Sequence, residues 1–527
     1  MKNNCFRPAR EIEAEQVQRI KNKIFSNFCS GKITELESIV SVCMLIYNEH
    51  ESVLVENVRS LETLPLVNFI LNQYETYATQ NAAHHKFALS AAEENEWRHY
   101  SSHARRGMKY LLEYLCRYYT VLAGDEVDNL TGPQHMASLS RIFISMEEMV
   151  SMYIRVDGYR YLLDDVELIL DEKADLFFSV RQDLDPRNSL DVRSEKREIL
   201  SRIGGPPYSH DISDHALILD PSFSEHLGAS YAQIVNFFVQ YIKERPTNFG
   251  MISKARVIMD LKKTLAVSGD QAELIINGFS VRAVNLEDRA LFSPKQEHRA
   301  YHRGFFEFIH NGKPVLLFSR MMAFEALDIL VNNTCYQKLP EEWRTPAIDI
   351  NLTTLSNKSG KWFEGVLSVN LPKVGIRAIS SVKTYRSHGK TIRPPSNVGE
   401  IDFIGYSEKF DALFVIEAKN VRFSTEPKLF RDDLSKFMTG NKSYAKKFIG
   451  KCSWVVENLP LVVGELSLRG VAVQDVKKVY KVMVILSPSP VESRVTGFSC
   501  VNLVQFMRVM ESGNLESLVS VEVKAPD

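Results

Sequence analysis

A chain of 527 residues is too long for one hydrophobic core, so about two to four domains are expected. Its 45% hydrophobic and 24% charged residues are those of a globular protein, without a low-complexity tract or the run of roughly 18 apolar residues that a membrane span needs. The formal net charge of −1 excludes a global attraction to polyanions, so any nucleic-acid contact must come from local patches.

The seven cysteines are scattered and odd in number, with no Cys-x-x-Cys pair, which argues against a disulfide framework or a zinc site and for a reducing compartment. Met1–Arg10 is polar and has no signal-peptide core. These features predict a cytoplasmic protein with no membrane partner.

Residues 1–203 read as a helical scaffold or interaction domain. Val17, Ile20, Ile24 and Phe28 recur at helical spacing, as do Met108, Leu111, Leu112 and Leu115. Leu139–Leu176 predicts long helices broken near Asp157-Gly158. No catalytic motif stands out. His84-His85 are adjacent and so cannot share a helix face, which makes them a poor ligand pair. Arg105-Arg106 fits a solvated helix face better than a phosphate site. Cys29-Ser-Gly-Lys32 lacks the first glycine of a phosphate loop, with Ser26 in its place, so a nucleotide-driven motor finds no support. This region is the expected surface for a homo-oligomer or a partner protein.

Gly204-Gly-Pro-Pro207 and the polar residues after it predict a boundary. In the middle domain, residues 208–345, Lys254–Ala266 and Gln271–Asn277 read as helices around a turn at Val267–Asp270, with Asp270 as the cap. Asn311-Gly312 between two apolar runs predicts a tight β-hairpin. Two helices followed by a ribbon suggest either a winged helix with Gln271–Asn277 in a DNA groove or a purely packing arrangement. The lack of basic residues on Gln271–Asn277 favours packing.

The richest signal lies in residues 349–527. Lys361–Leu371 predicts a helix closed by Pro372, and Gly375–Tyr385 a strand. Asn397–Tyr406 and Leu413–Asn420 are apolar β-type runs joined by the polar turn Ser407–Asp411. Glu400 and Asp402 interrupt the first run, and Glu417 and Lys419 the second. Lys419 follows Glu417 by one strand period, so a hairpin gathers Asp402, Glu417 and Lys419 on one face. Burying three charges costs several kcal/mol unless they are paired, and a divalent cation is a suitable partner. Further on, Lys428–Ile449 predicts helix with a break at Gly440-Asn441. Trp454–Val463 and Val479–Leu486 predict strands, and Asn502–Glu511 a helix.

Glu400-Ile-Asp402 followed by Glu417-Ala-Lys419 resembles the Asp…(Asp/Glu)-x-Lys signature of the restriction-endonuclease-like, or PD-(D/E)XK, nuclease superfamily. Gly399 stands where a proline often precedes the motif. The resemblance covers about Asn351–Met510. It implies a C-terminal αβββαβ domain on a central mixed sheet, which together with the helical pattern of the N-terminal two-thirds makes a multidomain α plus α/β protein. It also implies Mg²⁺, with Mn²⁺ able to substitute, held by Asp402, Glu417 and the Ala418 carbonyl. Lys419 would steady the attacking water or the phosphorane, and Glu364 and Glu400 would hold a second ion or orient water.

The basic residues suit a polyanion. Lys383, Arg386, Lys390 and Arg393 precede the motif. From Val421 to Leu486 there are twelve Lys or Arg against six Asp or Glu, with Lys442, Lys446, Lys447 and Lys451 clustered. Lys477-Lys478 reads as a solvated face. The leading expectation is a Mg²⁺-dependent deoxyribonuclease, with RNA as an alternative substrate. Large bacterial nucleases resembling this family often act in restriction, phage defence or repair. The competing expectation is a nucleic-acid-binding regulatory protein whose nuclease-like fold does not cut.

Overall fold

The computed structural model describes residues 5–523, apart from 87–90, 125–131, 162, 164, 175–176, 182–191, 246, 287–297, 388–389, 397, 423–426 and 440–442. Met1–Asp183 and Ile212–Leu355 form one compact unit, and Leu184–Asp211 and Ser356–Asp527 form another. The sequence suggests three successive blocks, whereas contacts give two interleaved units, with Gly204–Pro207 inside the second. The reason is a helix, α1 (Val192–Ile203), whose Ile199 enters the core of the second unit. Its Glu198 and Arg202 pair with Arg508 and Glu511 of that unit.

The first unit is mainly helical. The helix Pro133–Tyr161 runs unbroken through Asp157-Gly158, where the sequence predicts a break, because both residues are buried against neighbours. The following residues form a strand, Glu167–Leu170, in place of the predicted helix. Leu168 and Leu170 are its buried positions, a period of two, and it pairs antiparallel with Gly31–Ile33 and Phe178–Arg181. The predicted hairpin is present as Phe305–His310 and Lys313–Ser319. Asn311 and Gly312 both take positive φ, 50° and 71°, the combination a two-residue hairpin turn requires. This ribbon lies inside a four-stranded sheet with Phe249–Ser253 and Ser280–Val281 on its flanks.

The helix Gly269–Gly278 is capped by Ser268, not Asp270, in a capping box with Gln271. Its C-terminal residues Ile275–Gly278 are buried, and a Cβ on Gly278 would lie 2.1 Å from the Trp343 indole nitrogen. Asp270 and Glu273 are exposed on this helix. Acidic side chains outside and an aromatic wedge inside fit packing, not a DNA groove.

The second unit is α/β, so the chain combines a mainly helical unit with a mixed-sheet unit. The helix α2 (Pro346–Asn370), which belongs to this unit from Ser356 on, is followed by β1 (Arg377–Val382), β2 (Ile401–Ser407) and β3 (Ala412–Lys419). Then come α3 (Tyr444–Glu457), β4 (Lys478–Ile485), β5 (Ser499–Asn502), α4 (Leu503–Ser512) and β6 (Ser520–Glu522). Sheet order is β5-β4-β3-β2-β1, with β6 also on β4. β2 is antiparallel to both of its neighbours, β1 and β3; β3, β4 and β5 are parallel, and β6 is antiparallel to β4.

Apolar residues fill both faces. Phe363 and Leu367 of α2 and Phe506 and Met507 of α4 meet Phe403, Phe414 and Ile416 on one face. Phe448, Cys452 and Val455 of α3 meet Ile404, Leu413 and Val415 on the other. Trp454–Val463, predicted as a strand, is instead the end of α3 and the start of the helix Leu459–Leu468. Its apolar residues cover the sheet at helical spacing, with Val455, Val462 and Leu466 buried, and a short apolar run does not by itself distinguish the two. The predicted strand Gly375–Tyr385 is split into β1 and a separate ribbon, Tyr385–Ser387 with Lys390–Ile392.

Candidate active site

β2 and β3 pair from Ser407–Ala412 up to Phe403–Ile416. The next step of the same register sets Asp402 opposite Glu417. On the other side of β2, the pairing with β1 passes from Phe403–Ser380 to Ile401–Val382 and skips Asp402. The residue opposite is Ser381, whose φ of 52° lies in the left-handed region that costs a non-glycine residue about 1–2 kcal/mol. Regular pairing is therefore interrupted at Asp402 on the β1 side and ends one step before it on the β3 side. This freedom lets its carboxylate fold across β3, where Oδ2 accepts the Ala418 N–H at 2.9 Å.

The structure brings Asp402, Glu417 and Lys419 together. Lys419 Nζ stands 2.7 Å from Glu417 Oε1 and 3.7 Å from Asp402 Oδ2, and it lies 5.5 Å from the centre of the Tyr444 ring. Alternation along β3 turns Glu417 and Lys419 toward the α3 face, the face of Leu413 and Val415. Asn420, just past β3, donates to the Ser359 hydroxyl at 2.7 Å and ties the end of the strand to α2.

Burial comes first among the causes that push the Asp402 carboxyl up to about 6, and the neighbouring Glu417 adds to it. Lys419, the Ala418 N–H and Lys451 offset only part of that shift. For Lys419 burial acts against the charge, yet Glu417 and Asp402 outweigh it and hold the ammonium above its usual range.

The sequence groups Lys451 with the phosphate-binding lysines, but it is only 8% exposed. Its ammonium donates to both oxygens of Glu417, at 2.9 and 2.7 Å. A signal for this was present: Phe448, Lys451, Cys452 and Val455 fall at i, i+3, i+4 and i+7, so Lys451 interrupts the buried stripe of α3.

Glu364 and Glu400 meet through a residue that no motif in the sequence singles out. Lys361 Nζ lies 2.7 Å from Glu364 and 3.6 Å from Glu400. Glu364 is the leading cause of the raised Lys361 pKa. Burial tends to raise the Glu400 carboxyl, but hydrogen bonds from Lys383 and Ser381 and the charges of Lys361 and Lys383 carry it below the usual range. Lys383 Nζ is 3.1 Å from Glu400.

Arg386, Arg393, Lys446 and Lys447 are exposed. Lys390 belongs to the ribbon Lys390–Ile392, but its side chain lies outside the described residues, as does all of Lys442 and the predicted break at Gly440-Asn441. The side chains of His84 and His85 are likewise outside them. Arg105 pairs with Glu325 in the first unit, and exposed Lys477 pairs with Asp411 at 2.6 Å.

A divalent cation is compatible with this donor set. Among the described residues no three His, Cys, Asp or Glu side chains converge into a cage, which disfavours a calcium-type site built wholly from protein. Mg²⁺ typically needs one or two carboxylates with waters and substrate oxygens, and Asp402 and Glu417 supply two. The Ala418 N–H and C=O point to the same strand edge, so the carbonyl faces the Asp402 side. The ammonium groups of Lys419 and Lys451 neutralise Glu417, and that of Lys361 lies between Glu364 and Glu400.

No family model, curated protein or solved structure matches this chain.

Proposed function

We propose that the second unit is a metal-dependent endonuclease that hydrolyses DNA phosphodiester bonds, with a restriction-endonuclease-like domain as its core. The observation that carries this reading is the facing pair Asp402 and Glu417 at the point where the pairing of a buried sheet is interrupted, with Lys419 beside both. Charges are not kept at such a position for packing, since an apolar pair of similar volume is often as stable or more so. Bound Mg²⁺ supplies a Lewis acid for the phosphate and a water of lowered pKa.

Asp402, Glu417 and the Ala418 carbonyl are the residues that would hold the ion. Lys419, fixed by Glu417, places a preorganised positive charge where charge develops on the phosphate. Exposed Lys446 and Lys447 on α3, with Arg386 and Arg393, supply sequence-independent phosphate affinity. The first unit would regulate, target or oligomerise the enzyme, and restriction or phage defence is the setting that suits such a division.

The test is plasmid cleavage with Mg²⁺ or Mn²⁺ by the full chain and by Asp402→Ala and Lys419→Ala. Equal activity in all three removes this site assignment. A second reading, a nucleic-acid-binding protein that does not cut, draws on the lysines that already satisfy both Glu417 oxygens. It would be favoured if no metal or nucleic acid elicits cleavage.

A further inference from the structure

The cluster around Glu417 is neutral as it stands. Two carboxylates, Asp402 and Glu417, face two ammonium groups, Lys419 and Lys451. Lys451 is tied to both Glu417 oxygens and buried on α3 between Phe448 and Cys452, so it cannot swing into solvent as a surface lysine would. A divalent ion entering this cluster would add two uncompensated positive charges beside two ammonium groups in a poorly solvated setting, where like-charge repulsion is strong. The repulsion is relieved in one of two ways: Lys451 withdraws from Glu417, or an anion enters with the metal. A phosphodiester supplies such an anion.

We propose that Lys451 is a positioning residue that makes metal loading conditional on nucleic acid, so that the ion and a backbone phosphate bind together and the protein alone holds the ion weakly. The inference rests on the metal-dependent reading above. It assigns Lys451 a role distinct from phosphate contact: in the metal-free protein its ammonium fills the cation position at Glu417 and keeps that buried carboxylate paired. Removing one partner of a buried pair leaves an uncompensated charge. A chain lacking the Lys451 charge should therefore accept Mn²⁺ more readily without DNA, since the ion then replaces the missing cation. Coupling between two ligands is reciprocal, so the same residue sets how far Mn²⁺ strengthens DNA binding.

The experiment is titration of the full chain with Mn²⁺, followed by calorimetry or by the paramagnetic signal of free Mn²⁺. It is run with and without a short phosphorothioate duplex that resists hydrolysis. For the wild type the duplex should tighten Mn²⁺ binding about tenfold or more. Lys451→Met should bind Mn²⁺ about tenfold tighter than wild type without DNA and gain less from the duplex. Lys451→Arg, which keeps the charge, should behave as wild type. If Lys451→Met does not fold, Lys451→Gln replaces it in the same comparison with Lys451→Arg. Wild-type affinity that is the same with and without duplex overturns the proposal. So does Mn²⁺ binding by Lys451→Met that is no tighter than wild type, since Lys451 would then merely organise Glu417. Absence of Mn²⁺ binding by every variant, with or without duplex, overturns the metal-dependent reading itself.

Discussion

Each unit buries a cluster of charges, and the two clusters are built differently. In the first unit Arg303 is fully buried. It donates to Glu342 at 3.0 and 2.8 Å, to the Asn277 and Ser280 carbonyls, and it contacts His298 Nδ1. Glu342 also accepts from Arg282 at 2.9 Å and Asn285 at 3.1 Å. In the second unit Asp402 accepts one hydrogen bond, from Ala418, and stands 3.7 Å from a lysine.

The Glu342 and Asp402 side chains are almost equally exposed, 11% and 13%, yet their carboxyls move in opposite directions. Burial pushes both up. For Glu342 the hydrogen bonds and charge of Arg303 more than reverse the effect and lower it, whereas Asp402 stays up at about 6. Burial alone thus says little about role. A carboxylate saturated with hydrogen bonds, as Glu342 is, serves the fold, whereas Asp402, with one hydrogen bond at an interruption of the strand pairing, suits the ligand-binding role proposed above.

The comparison can be broken from either side, and the largest effect is expected in the saturated cluster. Arg303→Ala should destabilise the first unit by about 3–5 kcal/mol, because Glu342 is left buried beside unfilled space. Hydrogen exchange at Ile275–Ser280 would localise the loss, and unchanged protection there would show that the network is not structural. In the second unit, Asp402→Ala and Lys419→Ala should lower Mg²⁺-dependent cleavage by about 10²–10³-fold, measured under single turnover. Binding of DNA by these variants should persist, read by gel shift, since in the proposed function the exposed lysines would supply most of the affinity.

A smaller effect separates the two carboxyls by pH. As pH rises from 3.8 to about 6, unfolded chains release the Asp402 proton while the folded protein retains it. The stability contributed by the protonated group is therefore complete below this window and lost as pH passes about 6. With chelator present, Asp402→Asn should be more stable than wild type by about 1–3 kcal/mol at pH 8, with no gain at pH 3.5. Denaturant unfolding at the two pH values checks the sign. The smallest effect is expected from Lys446→Ala with Lys447→Ala, which should weaken DNA binding several-fold and reduce the slope of log affinity against log salt by about one to two.

Much of the candidate site was legible before folding because it is local. Alternation along Ala412–Lys419 sets Glu417 and Lys419 on one face, and the short turn to Ile401–Ser407 brings Asp402 across. These are consequences of a period-two backbone and a brief loop. Asn311-Gly312 specified its hairpin for the same kind of reason, since few residues tolerate two successive positive φ values.

What the tertiary structure decided depends on contacts distant in sequence. Lys451 reaches Glu417 across 34 residues, and only the packing of α3 on the sheet turned a nominal phosphate-binding lysine into a buried partner. Lys361 enters between Glu364 and Glu400 because α2 runs beside the strand ends. Trp454–Val463 became helix because its apolar side chains cover a sheet face, and α1 joined the second unit because Ile199 found that core. Local periodicity determined which residues share a face. Tertiary packing determined which charges meet, because burial and pairing are properties of the surroundings and not of the segment.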